Sequence, residues 1–157
     1  MRESDQDEVA GIRAVWMTWF GGMEAADVEQ SLSVVSADVV HEGPDGERRK
    51  GRAALGSALS AFHRAYVERV SWELQSAEVT GSVAEVRVHE VATIRERTGG
   101  PTLRVEGYHL ARLAQQESGD WLIIEDVSRI EGEPTVVEAD FEAGDERAGT
   151  GFSSEER

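Results

Sequence analysis

The chain has 157 residues, no cysteine and a formal net charge of -15. This length predicts one domain that buries roughly two thirds of its unfolded surface. The missing cysteines exclude thiolate nucleophiles, zinc-thiolate sites and disulfides, and the acidity opposes nucleic acid and anionic membranes as partners, since both attract basic patches.

The start, Met1-Arg2-Glu3-Ser4-Asp5-Gln6-Asp7-Glu8, is acidic where a signal peptide is basic and then apolar. No apolar run approaches the ~18 residues of a membrane helix. Both features predict a cytoplasmic protein, with residues 1–6 a disordered N-terminus. Fifteen of the sixteen basic residues are arginine and Lys50 is the only lysine, a bias that a salt-rich cytoplasm or a GC-rich genome would each produce.

From Asp7 to Met23, apolar groups at Val9, Ile12, Val15, Trp16, Trp19, Phe20 and Met23 recur at helical spacing, with Asp5 or Asp7 placed to cap the first turn. This helix is expected to cover a sheet, and Trp16, Trp19 and Phe20 can also wall a pocket. A second helix is predicted over Ala25–Val35, ended by Ser36-Ala37-Asp38. A short strand Val39–Glu42, carrying His41, follows, then the turn Gly43-Pro44-Asp45-Gly46 and a charged hairpin arm, Glu47–Lys50. Arg52–Tyr66 reads as a third helix with Leu55, Leu59, Phe62 and Tyr66 on its apolar face and His63 on its exposed side. A strand over Arg69–Thr80, closed by a three-residue Thr80-Gly81-Ser82 loop, puts Val70, Trp72 and Leu74 inward, with Trp72 beside Glu90.

Three long alternating strands complete the pattern: Val83–Arg97, Thr102–Ala114 and Trp121–Ile130. Short turns between them set Glu90 opposite His109, His109 opposite Ser128 and Ala111 opposite Asp126. The inner face then reads Val86, Val88, Glu90, Ala92, Ile94, followed by Val105, Gly107, His109, Ala111, Leu113 and by Leu122, Ile124, Asp126, Ser128, Ile130. The outer face has an apolar centre of Val91, Tyr108, Leu110, Ile123 and Val127, rimmed by Arg87, Arg95, Arg104, Arg112, Glu125 and Arg129. Such a centre and rim suit an isologous interface. Beyond Ile130, Glu131-Gly132-Glu133-Pro134 is expected to break the strand. Residues 132–157 are expected to form a disordered acidic tail, in which Val136, Val137 and Phe141 are the apolar group.

The order helix, short helix, strand-turn, helix, four antiparallel strands resembles the nuclear-transport-factor-2-like superfamily and, within it, the SnoaL-like relatives of polyketide cyclases and ketosteroid isomerases. The stretches that carry the resemblance are Ala26-Asp27-Val28 through Asp38-Val39-Val40-His41-Glu42-Gly43-Pro44-Asp45-Gly46, Gly51-Arg52-Ala53-Ala54-Leu55, Thr80-Gly81-Ser82-Val83-Ala84, and Gly119-Asp120-Trp121-Leu122-Ile123-Ile124-Glu125-Asp126-Val127-Ser128. It implies an α+β fold over residues 7–131, a cone-shaped curved antiparallel sheet covered by three N-terminal helices. It also implies a conical cavity and, commonly, a homodimer through the outer sheet face.

Family members are either cofactor-free enzymes acting on small apolar molecules or non-catalytic binding and assembly modules. On the enzyme reading His109 is the general base or acid, Glu90 or Asp126 orients it or makes the second proton transfer, and Ser128 hydrogen-bonds substrate. His41 is a further candidate, and Phe62, Tyr66 and Trp72 are candidate walls. The reaction would be isomerisation, aldol-type cyclisation, dehydration or hydrolysis. On the other reading Glu90, His109, Asp126 and Ser128 satisfy one another as an internal network. Neither a metal nor a cofactor is expected. The two readings differ over cavity space: an enzyme needs roughly 300 Å3, whereas a filled cone has Trp16, Trp19, Trp72 and Phe62 packed against Glu90 and His109.

Overall fold

The computed structural model describes residues 3–138. The first helix, α1 (Glu3–Ala25), starts inside the stretch expected to be a disordered N-terminus. Of its predicted stripe, Ile12, Val15, Trp16, Trp19 and Phe20 are buried, and Val9 and Met23 at its ends are half-buried. The helix stops at Ala26, whose φ of 56° is left-handed, and the Asp27 N–H closes back on the Gly22 carbonyl at 2.8 Å. Asp27 then caps α2 (Val28–Leu32) by accepting the Gln30 N–H at 3.1 Å. The helix is shorter than the predicted Ala25–Val35. Val34 and Val35 leave it because the chain there joins the sheet edge: the Val34 carbonyl accepts the Ile123 N–H at 2.8 Å and Val35 pairs with Ile123. Ser36-Ala37-Asp38 therefore lies in a strand, β1 (Val35–Glu42), which forms a hairpin with β2 (Arg48–Lys50).

After α3 (Arg52–Ala65) come four long strands, β3 (Tyr66–Thr80), β4 (Val83–Glu96), β5 (Thr102–Gln115) and β6 (Trp121–Val137). The sheet order is β2-β1-β6-β5-β4-β3. All pairs are antiparallel except β1 with β6. Helices pack on one face of this curved, unclosed sheet, and the core lies between them: α1 meets Val86, Val88, Ala111, Leu113, Trp121 and Ile123. The architecture is the α+β cone that the resemblance implies. Among the described residues no helix is long and apolar enough to cross a membrane.

Registers depart from expectation at four places, three of them at bulges. The β3–β4 turn has two residues, Gly81-Ser82, rather than three. A bulge between Leu74 and Ser76 restores the offset, so Trp72 still faces Glu90. Between β4 and β5 the pairing is shifted by two residues: Glu90 lies opposite Gly107, and His109 opposite Val88. The connection there is longer than a tight turn and includes Gly99 and Gly100 at φ 111° and 101°. A two-residue shift preserves the faces, so Glu90 and His109 remain on one surface, as diagonal neighbours.

Between β5 and β6, His109 opposite Ser128 and Ala111 opposite Asp126 are as expected. A bulge near Arg112 and Leu113 then inserts Ile124. It reverses the facing of the preceding residues. Trp121 and Ile123, expected outside, are 3% and 1% exposed, whereas Leu122 and Ile124 are half-buried. The expected strand break after Ile130 is instead a further bulge, with Gly132 at φ 71°, beyond which Thr135, Val136 and Val137 pair with Arg104, Leu103 and Thr102. From residue 139 on, the expected acidic tail, Phe141 included, lies outside the described residues. His63 corrects another expectation: it is buried, and its carbonyl accepts a hydrogen bond from Arg97 Nε at 2.6 Å.

The bulge at Ile124 makes opposite demands on adjacent isoleucines. Ile123→Ala should cost about 2–4 kcal/mol in urea-denaturation stability and Ile124→Ala under about 1.5 kcal/mol; strict alternation would reverse that order.

Candidate functional site

Four strands, β1, β4, β5 and β6, contribute to one polar chain on the inner face. From β5, His109 Nδ1 lies 3.0 and 3.1 Å from the two oxygens of Asp126 on β6, and its Nε2 lies 2.6 Å from Glu90 Oε1 on β4. Asp126 Oδ2 also lies 3.5 Å from His41 Nε2 on β1. His109 and Asp126 are buried, while the Glu90 side chain is 17% exposed.

Burial alone would lower the His109 pKa. The Asp126 charge and hydrogen bond, then Glu90, outweigh it and raise the pKa to about 10. His109 is thus an imidazolium at neutral pH, donating one N–H to each carboxylate. His41 moves the other way: burial lowers its pKa more than Asp126 raises it.

Aromatic side chains close this chain off from below. Trp16 and Phe20 pack on the His109 ring at centroid distances of 5.4 and 5.6 Å, and Phe20 stacks on Trp72 at 5.6 Å. Trp19 lies 6.4 Å from His41. The inner half of the cone is therefore filled. The outer half holds a cavity of about 150 Å3, bordered by Phe62, Glu68, Glu90, Ile94, Ser128, Arg129 and Ile130. Two larger concavities, of about 400 Å3 beside Arg48, Leu110 and Arg112 and about 830 Å3 between α2 and α3, border neither Glu90 nor His109, and the first borders Asp126.

Of the residues singled out from sequence, Glu90, Ser128 and Phe62 border the cavity. His109, Asp126, His41, Trp16, Trp19, Phe20 and Trp72 lie around and beneath them. Tyr66 packs on Phe62 at 5.2 Å and does not border the cavity. The group that sequence reasoning missed is Glu68. The strand was expected to begin at Arg69, but β3 begins at Tyr66, so the inward series Val70, Trp72, Leu74 extends back to a carboxyl. The signal was present in that alternation. The other missed grouping lies on the outer face, where ligand atoms of His89, Glu106 and Glu131 fall within 4.8 Å of one another. These three could hold a cation, although His89 Nε2 already bonds Glu106 at 2.7 Å.

Residues 16–121 match the model of the SnoaL-like domain family. The chain belongs to that family. Among solved structures, a ketosteroid isomerase-like protein from Erwinia carotovora atroseptica superposes with a TM-score of 0.74 at 17% identity, covering 80% of this chain and 98% of that one. A protein of unknown function from Mycobacterium tuberculosis gives 0.72 at 28% identity, covering 83% and 77%. A hexachlorocyclohexane dehydrochlorinase gives 0.73 at 11%, covering 89% and 95%. No curated protein matches the sequence. These likenesses show that the chain shares its fold with those structures.

Because the folded pKa of His109 exceeds its ordinary value of 6.5, the stabilisation it supplies is complete below about pH 6.5 and is lost as pH rises toward 10. Urea unfolding at stepped pH should show this decline in the wild type, and His109→Gln should remove that component. His109→Ala, which strands two carboxylates, should cost about 3–5 kcal/mol near neutrality.

Proposed function

We propose that this SnoaL-like domain binds a small apolar molecule in the cone and moves a proton on it without a cofactor, as an isomerase, cyclase, dehydratase or hydrolase. Glu90 is the group that touches the substrate. The observation supporting this is its position, as the one member of the Glu90–His109–Asp126 chain that borders the cavity. His109 is thus a positioning residue: its imidazolium holds the Glu90 carboxylate in place, and Asp126 and His41 anchor the far end. Ser128 offers a hydroxyl at the same cavity.

A 150 Å3 space falls short of the roughly 300 Å3 expected above of an enzyme and is comparable to cavities that take benzene. The substrate, or the part of it that enters, is one ring or a short chain. The fold is shared with structures named as isomerase-like and as a dehydrochlorinase, which supports an enzyme reading.

The test is solvent deuterium incorporation into a panel of one-ring compounds, followed by NMR. Glu90→Gln should retain the fold and bind the same compounds but lose about 10²–10⁴-fold in exchange rate. Unchanged exchange in that variant, or binding without exchange across the panel, would overturn the proposal.

A homodimer through the outer sheet face has its own supporting observation. Leu110 is 44% exposed on that face, and Arg87 lies over the neighbouring Tyr108 ring at 4.1 Å. Ile123, turned inward by its bulge, drops out of the expected patch. A non-catalytic dimerisation module would use the same face. Light scattering should give twice the chain mass for the wild type, and Leu110→Arg should halve it without lowering thermal stability.

A further inference from the structure

The cavity beside Glu90 is short of hydrogen-bond donors. Glu68 stands on the inner face of β3, opposite Ile94, and its Oε1 is buried with no hydrogen-bond partner among the described residues. The other polar side chains at this cavity are Glu90, Ser128 and Arg129. Arg129 donates from Nη2 to Glu42 at 2.7 Å and from Nη1 to the Ser128 carbonyl at 3.1 Å. Behind Glu90, the two ring nitrogens of His109 face Glu90 and Asp126. Both cations already have acceptors, and a buried oxygen left without a donor costs free energy.

The charges acting on Glu68 are mostly negative. Glu90 of β4 and Glu24 of α1 bear on it from two elements, the Glu24 carboxylate accepting the Val70 N–H at 2.7 Å. His109 of β5 opposes them. On β6, Arg129 is matched by Glu42 of β1, and Asp126 is bonded to His109. Phe62, the α3 residue at the cavity, brings no charge. Burial, then Glu90 and Glu24, push the Glu68 pKa up to about 8, so without a ligand this carboxyl is neutral at pH 7. A cation beside it reverses that balance, adding an opposite charge and a donor to its oxygen.

The walls decide which cation fits. A hard metal ion takes about six or more oxygen ligands, and the side chains of Phe62, Ile94 and Ile130 offer none. A quaternary ammonium has no N–H and leaves Oε1 unpaired. A primary ammonium carries N–H donors, like the lysine head, on an apolar body that these walls suit.

We propose that this cavity binds small primary amines as ammonium ions, the N–H groups donating to Glu68 Oε1, the Glu90 carboxylate supplying a second negative charge, and a one-ring or short-chain body packing against Phe62 and Ile94. The proposal rests on the reading of this cavity as the ligand site and not on proton transfer by Glu90. Binding releases the Glu68 proton to the buffer: the carboxyl O–H bond breaks, its electron pair stays on oxygen, and the carboxylate accepts the ligand N–H. The formal charge of -15 draws cations to the protein as a whole.

The probe is cyclohexylamine, with cyclohexanol as its uncharged counterpart, titrated by calorimetry at pH 7 in phosphate and in MOPS. The amine should bind at least about tenfold more tightly than the alcohol. The difference in heat between the buffers should report about one proton released per amine bound. Affinity should rise about tenfold from pH 6 to pH 7 and level off above pH 8, where Glu68 is already ionised. Glu68→Gln and Glu68→Leu should lose the proton release and the pH dependence, and their amine affinity should fall to that of the alcohol. Each removes a carboxyl oxygen without a partner, so each should melt no lower than the wild type.

Equal affinity for amine and alcohol, amine binding without proton release, release that survives Glu68→Gln, or no detectable amine binding would each overturn the assignment. Amine binding with no deuterium exchange across the one-ring panel would leave the ammonium site standing and overturn the Glu90 reading. Glu90-dependent exchange with no amine binding would do the reverse.

Discussion

A histidine cation buried between two carboxylates is the constraint on which the inner face of this sheet depends. Desolvating an isolated charge costs several kcal/mol, so Glu90, His109 and Asp126 are viable on an apolar face only together, with all three strands in register. The aromatic cover follows from the same requirement. Trp16 and Phe20 on His109, and Trp72 on Phe20, exclude the water that would otherwise weaken the pairing. The fold therefore invests its largest side chains in a polar chain of three residues.

That investment explains why the cone is neither empty nor filled. Below Glu90 the space is taken by tryptophan and phenylalanine, and above it about 150 Å3 stays open under Phe62 and Ile94. Gly107 opposite Glu90 helps set this geometry. A Cβ there would run into the Arg129 carbonyl of β6, so the glycine permits close approach of the two strands beside the cavity. The two cavity carboxyls then have different environments on adjacent strands, Glu90 anchored by His109 and Glu68 with its buried Oε1 lacking a hydrogen-bond partner.

The bulges are the second organising feature. A regular strand from Trp121 to Ile130 would bury Leu122 and Ile124, but the inserted residue turns Trp121 and Ile123 into the core while leaving Asp126 and Ser128 at the site. One strand thus supplies a packed end and a chemical end with different phases. In β3 the bulge after Leu74 has the complementary effect: it compensates for a turn one residue shorter than expected and returns Trp72 to its place opposite Glu90. Local irregularity is what lets this sheet curve.

Alternation and helical spacing, both local and periodic, were legible without coordinates. They marked the aromatic face of α1, the apolar face of α3, the long strands and the shared inner face of Glu90, His109, Asp126 and Ser128. A two-residue shift cannot move a side chain to the other face, so that grouping survived an incorrect pairing of Glu90 with His109. Features set by contacts distant in sequence were not legible. Val35 left its predicted helix for the edge of β6, Ile123 changed face at a bulge, His63 became buried where its helix meets the segment bearing Arg97, and β6 ran on past Ile130. The tertiary structure also decided which polar group meets the cavity. Side-chain pattern placed four of them on one surface, but only the packing of α1 and α3 over that surface buried His109 and left Glu90 and Glu68 facing open space.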